Sequence, residues 1–219
     1  MNPQRLSIPN KNAVPSRLIA EVLDQIDPEY DDLIAKVLRY KVFSRVQGHC
    51  LEAIFNNWDN ILINAPTGSG KTHIFEVALL YHYLAYEPKD KFKCILIVPI
   101  KSLCSEVSTT WHRIFSPLKT LELNSDFIQD KDEELQHIVE ANILIMTPEK
   151  FSTIMKRPAE LDSILSHLRL IVIDEMHILD DMDRGPALES AITPTTQNTS
   201  KSNPFGRRYT ESFLGQIWF

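Results

Sequence analysis

Short apolar runs alternate with longer amphipathic stretches through the middle of the chain. The runs at 60–64 (NILIN), 94–99 (CILIVP), 142–146 (NILIM) and 168–173 (LRLIVI) are apolar at nearly every position, which is the pattern of strands covered on both faces. A weaker run predicts another strand near 119–123. Between these runs the spacing predicts helices over 71–86 and 101–115, one near 131–139, and helical pieces across 149–167. Strand and helix alternating in this way predict an α/β fold, a parallel sheet with helices on both faces. Upstream, Leu18, Ile19, Val22, Leu23 and Ile26 follow a helical period, and Asp27-Pro28 reads as an N-cap with proline at the first position of a helix running to about Tyr40. Residues 1–15 are polar with three prolines and predict a flexible segment, so 16–42 form a helical lead-in and 43–192 one α/β lobe. From 193 to 219 the chain is rich in Thr, Ser, Asn and Pro. No strand or helix period is visible there, and the expectation is an irregular tail.

Composition narrows the class without naming a chemistry. The 219 residues suit one sizeable α/β domain with extensions, and 43% hydrophobic with 24% charged residues is ordinary for a soluble globular protein. The longest apolar stretches are too short to span a bilayer, and the first residues lack the apolar core of a secretory signal. An intracellular protein with no membrane partner is expected. Cys50, Cys94 and Cys104 stand apart without CxxC spacing, which predicts neither a disulfide framework nor a zinc site. The net charge of −6 argues against a broad phosphate-gripping surface, so any nucleic-acid contact must be local.

Two motifs carry the chemistry. Ala65-Pro66-Thr67-Gly68-Ser69-Gly70-Lys71-Thr72 follows a predicted strand and opens a predicted helix, the setting a phosphate-binding loop requires. Its glycines let backbone N–H groups and the helix N-terminus face an anion. Lys71 is expected to reach the β and γ phosphates of ATP, with the Thr72 hydroxyl on Mg²⁺. Asp174-Glu175-Met176-His177 follows the apolar run ending at Ile173, so both carboxylates fall at the carboxyl end of a buried strand, where ligands of open parallel sheets bind. There Asp174 is suited to hold Mg²⁺ and Glu175 to orient and deprotonate a water.

With these residues in order, the chain resembles the superfamily 2 DExH-box helicases, and within them the Ski-like branch that includes the meiotic crossover helicases of the Mer group. The resemblance covers roughly Phe43 to Ser190 and implies a RecA-like P-loop ATPase lobe. Phe43-Ser44-Arg45-Val46-Gln47 resembles that branch's aromatic-x-x-x-Gln element, which implies adenine reading by the Gln47 amide beside Phe43. Pro99-Ile100-Lys101-Ser102 resembles the start of motif Ia and Thr147-Pro148-Glu149 that of motif Ib. The resemblance implies that Pro99, Lys101, Ser102, Thr147 and Pro148 line a groove for one nucleic-acid strand. Asp183-Arg184-Gly185-Pro186-Ala187-Leu188-Glu189 resembles the segment that follows the DExH box. The catalytic set implied is Glu175, Lys71, Asp174 and His177, with ATP and Mg²⁺ as cofactors. The implied activity is 3′ to 5′ unwinding on single-stranded or partly duplex nucleic acid, DNA favoured over RNA, in the nucleus.

Two departures stand out. Where the family often has Thr-Gly-Asp, the chain reads Asn124-Ser125-Asp126, followed by Asp130, Asp132, Glu133 and Glu134, expected to be a solvated helix face. After Ser190 there is no Ser-Ala-Thr element and no second α/β lobe, so one lobe alone is expected. Two other functions stay open: a truncated form that binds nucleotide or nucleic acid without unwinding, and a small P-loop kinase or transporter-type ATPase. The DExH box and Gln47 disfavour the last.

Overall fold

The computed structural model describes residues 27–40, 43–56, 61–66, 68–123, 131–157, 162, 164–175 and 215–218. The helical period at 18–26, the Asn124–Asp126 element, His177 and the 183–189 segment lie outside them. A 3₁₀ turn at Pro28–Tyr30 leads into α1 (Asp31–Val37), and the Asp27 side chain accepts from the Glu29 N–H at 3.1 Å. The remaining elements are α2 (Arg45–Asn56), β1 (Ile61–Leu62), α3 (Lys71–Leu84), β2 (Lys93–Ile97), α4 (Lys101–Ile114), β3 (Thr120–Leu123), α5 (Lys131–Glu140), β4 (Ile143–Met146), α6 (Pro148–Met155), β5 (Leu168–Ile173) and β6 (Gly215–Trp218). The strands form one sheet in the order β1-β6-β5-β2-β4-β3, every pair parallel.

The period of two along each inner strand builds two cores. Cys94 and Leu96, Ile143 and Ile145, Leu170 and Val172 face one side, where α1 to α4 pack. Ile95 and Ile97, Leu144 and Met146, Ile171 and Ile173 face the other, against Ile138 of α5 and Phe151 and Ile154 of α6. Both faces are therefore apolar, as the runs required. At the amino edge Asn142 ties three strands: its Oδ1 accepts from the Lys119 N–H at 3.0 Å, and its Nδ2 donates to the carbonyls of Asp90 (3.2 Å) and Phe92 (3.0 Å). Lys93 ends α5 by donating to the carbonyls of Ile138, Val139 and Ala141 at 2.9, 3.0 and 2.6 Å, groups that would otherwise lack intrahelical partners.

Three expectations need correction. The tail is not wholly irregular: Gly215–Trp218 forms β6, inserted between β1 and β5. Four residues are too few to reveal a period. A helix absent from the sequence reading, α2, precedes β1. Its start is signalled by Ser44-x-x-Gln47, a capping box: the Gln47 N–H donates to Ser44 Oγ at 3.3 Å while the Ser44 N–H donates to Gln47 Oε1 at 2.7 Å. The acidic stretch is also not uniformly solvated. Asp132 and Glu133 are exposed, but Glu134 is buried, bonded by Lys150 and by Arg157 Nη1 at 2.6 Å. Burial raises its pKa, and the hydrogen bonds from Lys150 and Arg157 outweigh that, holding it below the ordinary carboxylate value. Its pairing ties α5 to α6.

Candidate nucleotide and nucleic-acid site

The carboxyl edge of the sheet collects the motifs. Leu62 of β1 and Ile173 of β5 both pair with Trp218 of β6, so the loops that follow them leave the sheet at one level. Ile97 of β2 pairs with both Ile173 and Met146, which sets the starts of α4 and α6 on the same edge. The edge therefore runs from the glycine loop, past β6, to Asp174-Glu175, then Pro99-Lys101-Ser102, then Thr147-Pro148.

Gly68 and Gly70 take positive φ of 80° and 84° in the loop, where a side chain is strained. Gly70 is the N-cap of α3, and Ser69 N donates to the Pro66 carbonyl at 3.2 Å. A Cβ at Gly70 would collide with the Gln47 amide nitrogen, whereas one at Gly68 would meet nothing within 4 Å. Lys71 is half-buried and its Nζ donates to the Ala65 carbonyl at 2.9 Å, closing the loop on itself; Thr72 is exposed and Thr67 lies outside the described residues. Gln47, 8% exposed, donates through Nε2 to the Gly70 carbonyl at 3.1 Å. One amide thus caps α2 and holds the loop.

At the other motif, Asp174 N donates to the Ile97 carbonyl at 2.9 Å, and Asp174 Oδ1 accepts from Glu175 N at 3.1 Å. Both residues are half-buried. Glu175 has φ 58°, the one non-glycine positive φ among the described residues. An L-residue held there costs about 1–2 kcal/mol, a strain that recurs at functional sites.

A glycine cradle at the N-terminus of a 14-residue helix fits a chain of phosphates. The donor set beside it, the Thr72 hydroxyl and the Asp174 carboxylate, is all oxygen. That suits Mg²⁺, which takes few protein ligands and completes its shell from phosphates and water. Burial pushes the Cys50 and Cys104 thiols up to about 11, away from nucleophilic use.

The family model for DEAD/DEAH box helicases matches residues 44–204. The chain belongs to this family. The mouse probable ATP-dependent DNA helicase HFM1 is 35% identical over 167 residues, covering 74% of this chain and 11% of that protein. The Arabidopsis thaliana DExH-box ATP-dependent RNA helicase DExH14 is 31% identical over 182 residues, 80% of this chain and 8% of that one. The chain thus spans about a tenth of the length of these curated relatives. Among solved structures, the DUF1998 helicase MrfA bound to DNA and AMPPNP superposes with a TM-score of 0.64 at 17% identity, over 88% of this chain and 26% of that one. Family and fold agree on a RecA-like α/β helicase lobe.

In this helicase lobe the expected nucleic-acid residues divide by exposure. Lys101 and Ser102, in the first turn of α4, are exposed and Pro99 is half-buried, whereas Thr147 and Pro148 are buried at the start of α6. Phe43 is also buried, 4% exposed, with its ring stacked on His73 at 5.5 Å between centroids. The sequence reading missed three residues around it, Arg39, His73 and Glu76. No motif marks them, because they meet only through the packing of α3 against the segment after α1.

Among the described residues no helix is long and apolar enough to cross a membrane.

Proposed function

We propose that the chain is the ATP-binding lobe of a DNA helicase of the Ski-like branch, working in the nucleus on meiotic DNA. In this reading it binds ATP·Mg²⁺ at 65–72 and 174–175, and one strand of DNA across the starts of α4 and α6. The observation that carries the reading is the shared register at Trp218, which puts the end of the strand before the glycine loop level with the end of the strand before Asp174-Glu175. HFM1 carries DNA in its name and DExH14 carries RNA; the reading takes DNA, and 3′ to 5′ movement, from the motif resemblance to the Mer-group helicases.

In this mechanism the loop amides and Lys71 hold the phosphates, releasing the Lys71 bond to the Ala65 carbonyl. Thr72 and Asp174 would hold a magnesium ion, which would supply positive charge beside the phosphates. Glu175, set by its left-handed backbone, accepts a proton from the attacking water. His177 would sense the state of the nucleotide for a second lobe. An arginine supplied from such a lobe is worth on the order of 10³ to 10⁵ in rate in related NTPases. Binding and turnover should therefore separate in the 219-residue polypeptide.

The experiment is steady-state phosphate release by this polypeptide, with and without single-stranded DNA, using Glu175→Gln to exclude contaminants. Tight ATP binding with turnover well below about 1 per second, the low end of ordinary enzyme rates, is expected. DNA-stimulated turnover above that rate and absent from Glu175→Gln would show one lobe to be self-sufficient. Adding the second lobe of a full-length relative in trans should raise the rate, and no response to DNA under any condition would favour binding without unwinding.

A further inference from the structure

Behind the glycine loop a single buried carboxylate joins the two walls of the proposed nucleotide pocket. Glu76, in the second turn of α3, is 1% exposed. Its Oε2 receives Arg39 Nη1 at 2.7 Å and His73 Nδ1 at 3.0 Å. A carboxylate only accepts, so Nδ1 carries the imidazole proton. The other nitrogen, Nε2, is buried and has no hydrogen-bond partner among the described residues. The His73 ring is held on two sides, stacked on Phe43 at 19° between planes and met edge-on by Tyr40 at 4.9 Å, while the Arg39 guanidinium lies 4.9 Å over Tyr40. Arg39 and Tyr40 belong to the segment after α1 that runs on to Phe43 and Gln47, the residues assigned to adenine.

This arrangement is costly unless complete, since a buried carboxylate needs its cation and its hydrogen bonds. An apolar cluster would have packed the same space. What the ionic one adds is a fixed position, because the Arg39–Glu76 and His73–Phe43 contacts, together with the Gln47 bond to the Gly70 carbonyl, lock the base-side segment to the helix that opens at the phosphate loop. Adenine and phosphates belong to one ligand, so both walls must be placed together within a fraction of an ångström.

We propose that Glu76, acting through Arg39 and His73, is the positioning residue for base recognition and sets the preference for ATP over GTP. It touches no nucleotide itself, and the proposal rests on the assignment of Gln47 to the adenine edge. The test is equilibrium titration of the 219-residue protein with ATP and GTP in Mg²⁺, for wild type, Gln47→Ala, Glu76→Gln, Arg39→Met and Arg39→Lys, with circular dichroism as the check on folding. Glu76→Gln and Arg39→Met should each cut the ATP:GTP preference by about fivefold or more, the lower end of what one bidentate edge contact provides, while GTP affinity stays within about twofold. Arg39→Lys should recover much of the preference, because it keeps the ion pair. If Glu76→Gln does not fold, the decision passes to Arg39→Met, whose side chain is 36% exposed. Preference unchanged in a folded hub variant, equal losses for both nucleotides, or unfolding of both variants would assign the cluster to stability alone and overturn the proposal. A wild type that binds ATP and GTP alike, or a Gln47→Ala variant that keeps the preference, would instead sink the base assignment, and the inference with it.

Discussion

The phosphate loop and the Asp174-Glu175 turn stand at one level on the same sheet edge, yet they reach left-handed backbone in opposite ways. In the loop, positive φ falls on Gly68 and Gly70, where only backbone N–H groups are wanted and glycine adopts the conformation freely. After β5 it falls on Glu175. No glycine can supply a carboxylate, so the turn accepts about 1–2 kcal/mol of strain to aim one. The loop also rests on its own bonds, Lys71 to the Ala65 carbonyl and Gln47 to the Gly70 carbonyl. A loop proposed to hold phosphates through its backbone can relax when empty; a side chain proposed to take a proton from water has to be held in place.

The contrast can be broken most severely at Lys71. Lys71→Ala should abolish ATP binding, a loss above about a hundredfold for a charge-assisted phosphate contact, without unfolding the half-buried helix start. Nucleotide titration beside circular dichroism measures both, and unchanged affinity would refute the loop assignment.

The helix behind the loop sets an acid limit on that side. Burial, with a smaller effect from the Arg169 charge, holds His82 of α3 down to about 4 from 6.5. Between those values the unfolded chain takes up a proton that the folded one refuses, so this contribution is fully present above pH 6.5 and is lost as the pH falls toward 4. The loss should approach about 3 kcal/mol, read from denaturant melts at pH 7 and pH 4.5, and His82→Leu should lack this part of the pH dependence, so that the wild type loses stability relative to the variant across the window.

The smallest effects sharpen the contrast most. Gly68→Ala should cost about 1 kcal/mol for its φ alone, and Gly70→Ala clearly more, because its Cβ also displaces the Gln47 amide. Glu175→Gly should do the reverse, leaving stability unchanged or raised by up to about 1 kcal/mol while removing turnover. Thermal melts of the three variants test this, and a Glu175→Gly variant less stable than wild type by more than about 1 kcal/mol would remove the strain argument.

Much of this was legible in the chain because periodicity reports burial on both faces: β2, β4 and β5 each reproduce an apolar run, and the glycine loop announces its own backbone. What escaped depends on partners distant in sequence. β6 is four residues whose strand character comes from the gap between β1 and β5, and Glu134 looks solvated until Lys150 and Arg157 arrive from α6 and the residues after it. The strain at Glu175 leaves no mark in composition. The capping box at Ser44-x-x-Gln47 is readable in the chain, but the family resemblance points its glutamine to adenine and hides the second task.

The central claim is that loop and turn serve one metal and one nucleotide. A double-mutant cycle on ATP·Mg²⁺ affinity with Thr72→Ala, Asp174→Asn and the double variant tests it directly. If both residues hold the same ion, the second substitution costs little once the first is made, and the coupling reaches about 1 kcal/mol or more. Losses that add within about 0.3–0.5 kcal/mol would mean that the two regions act on separate ligands, and would contradict the account.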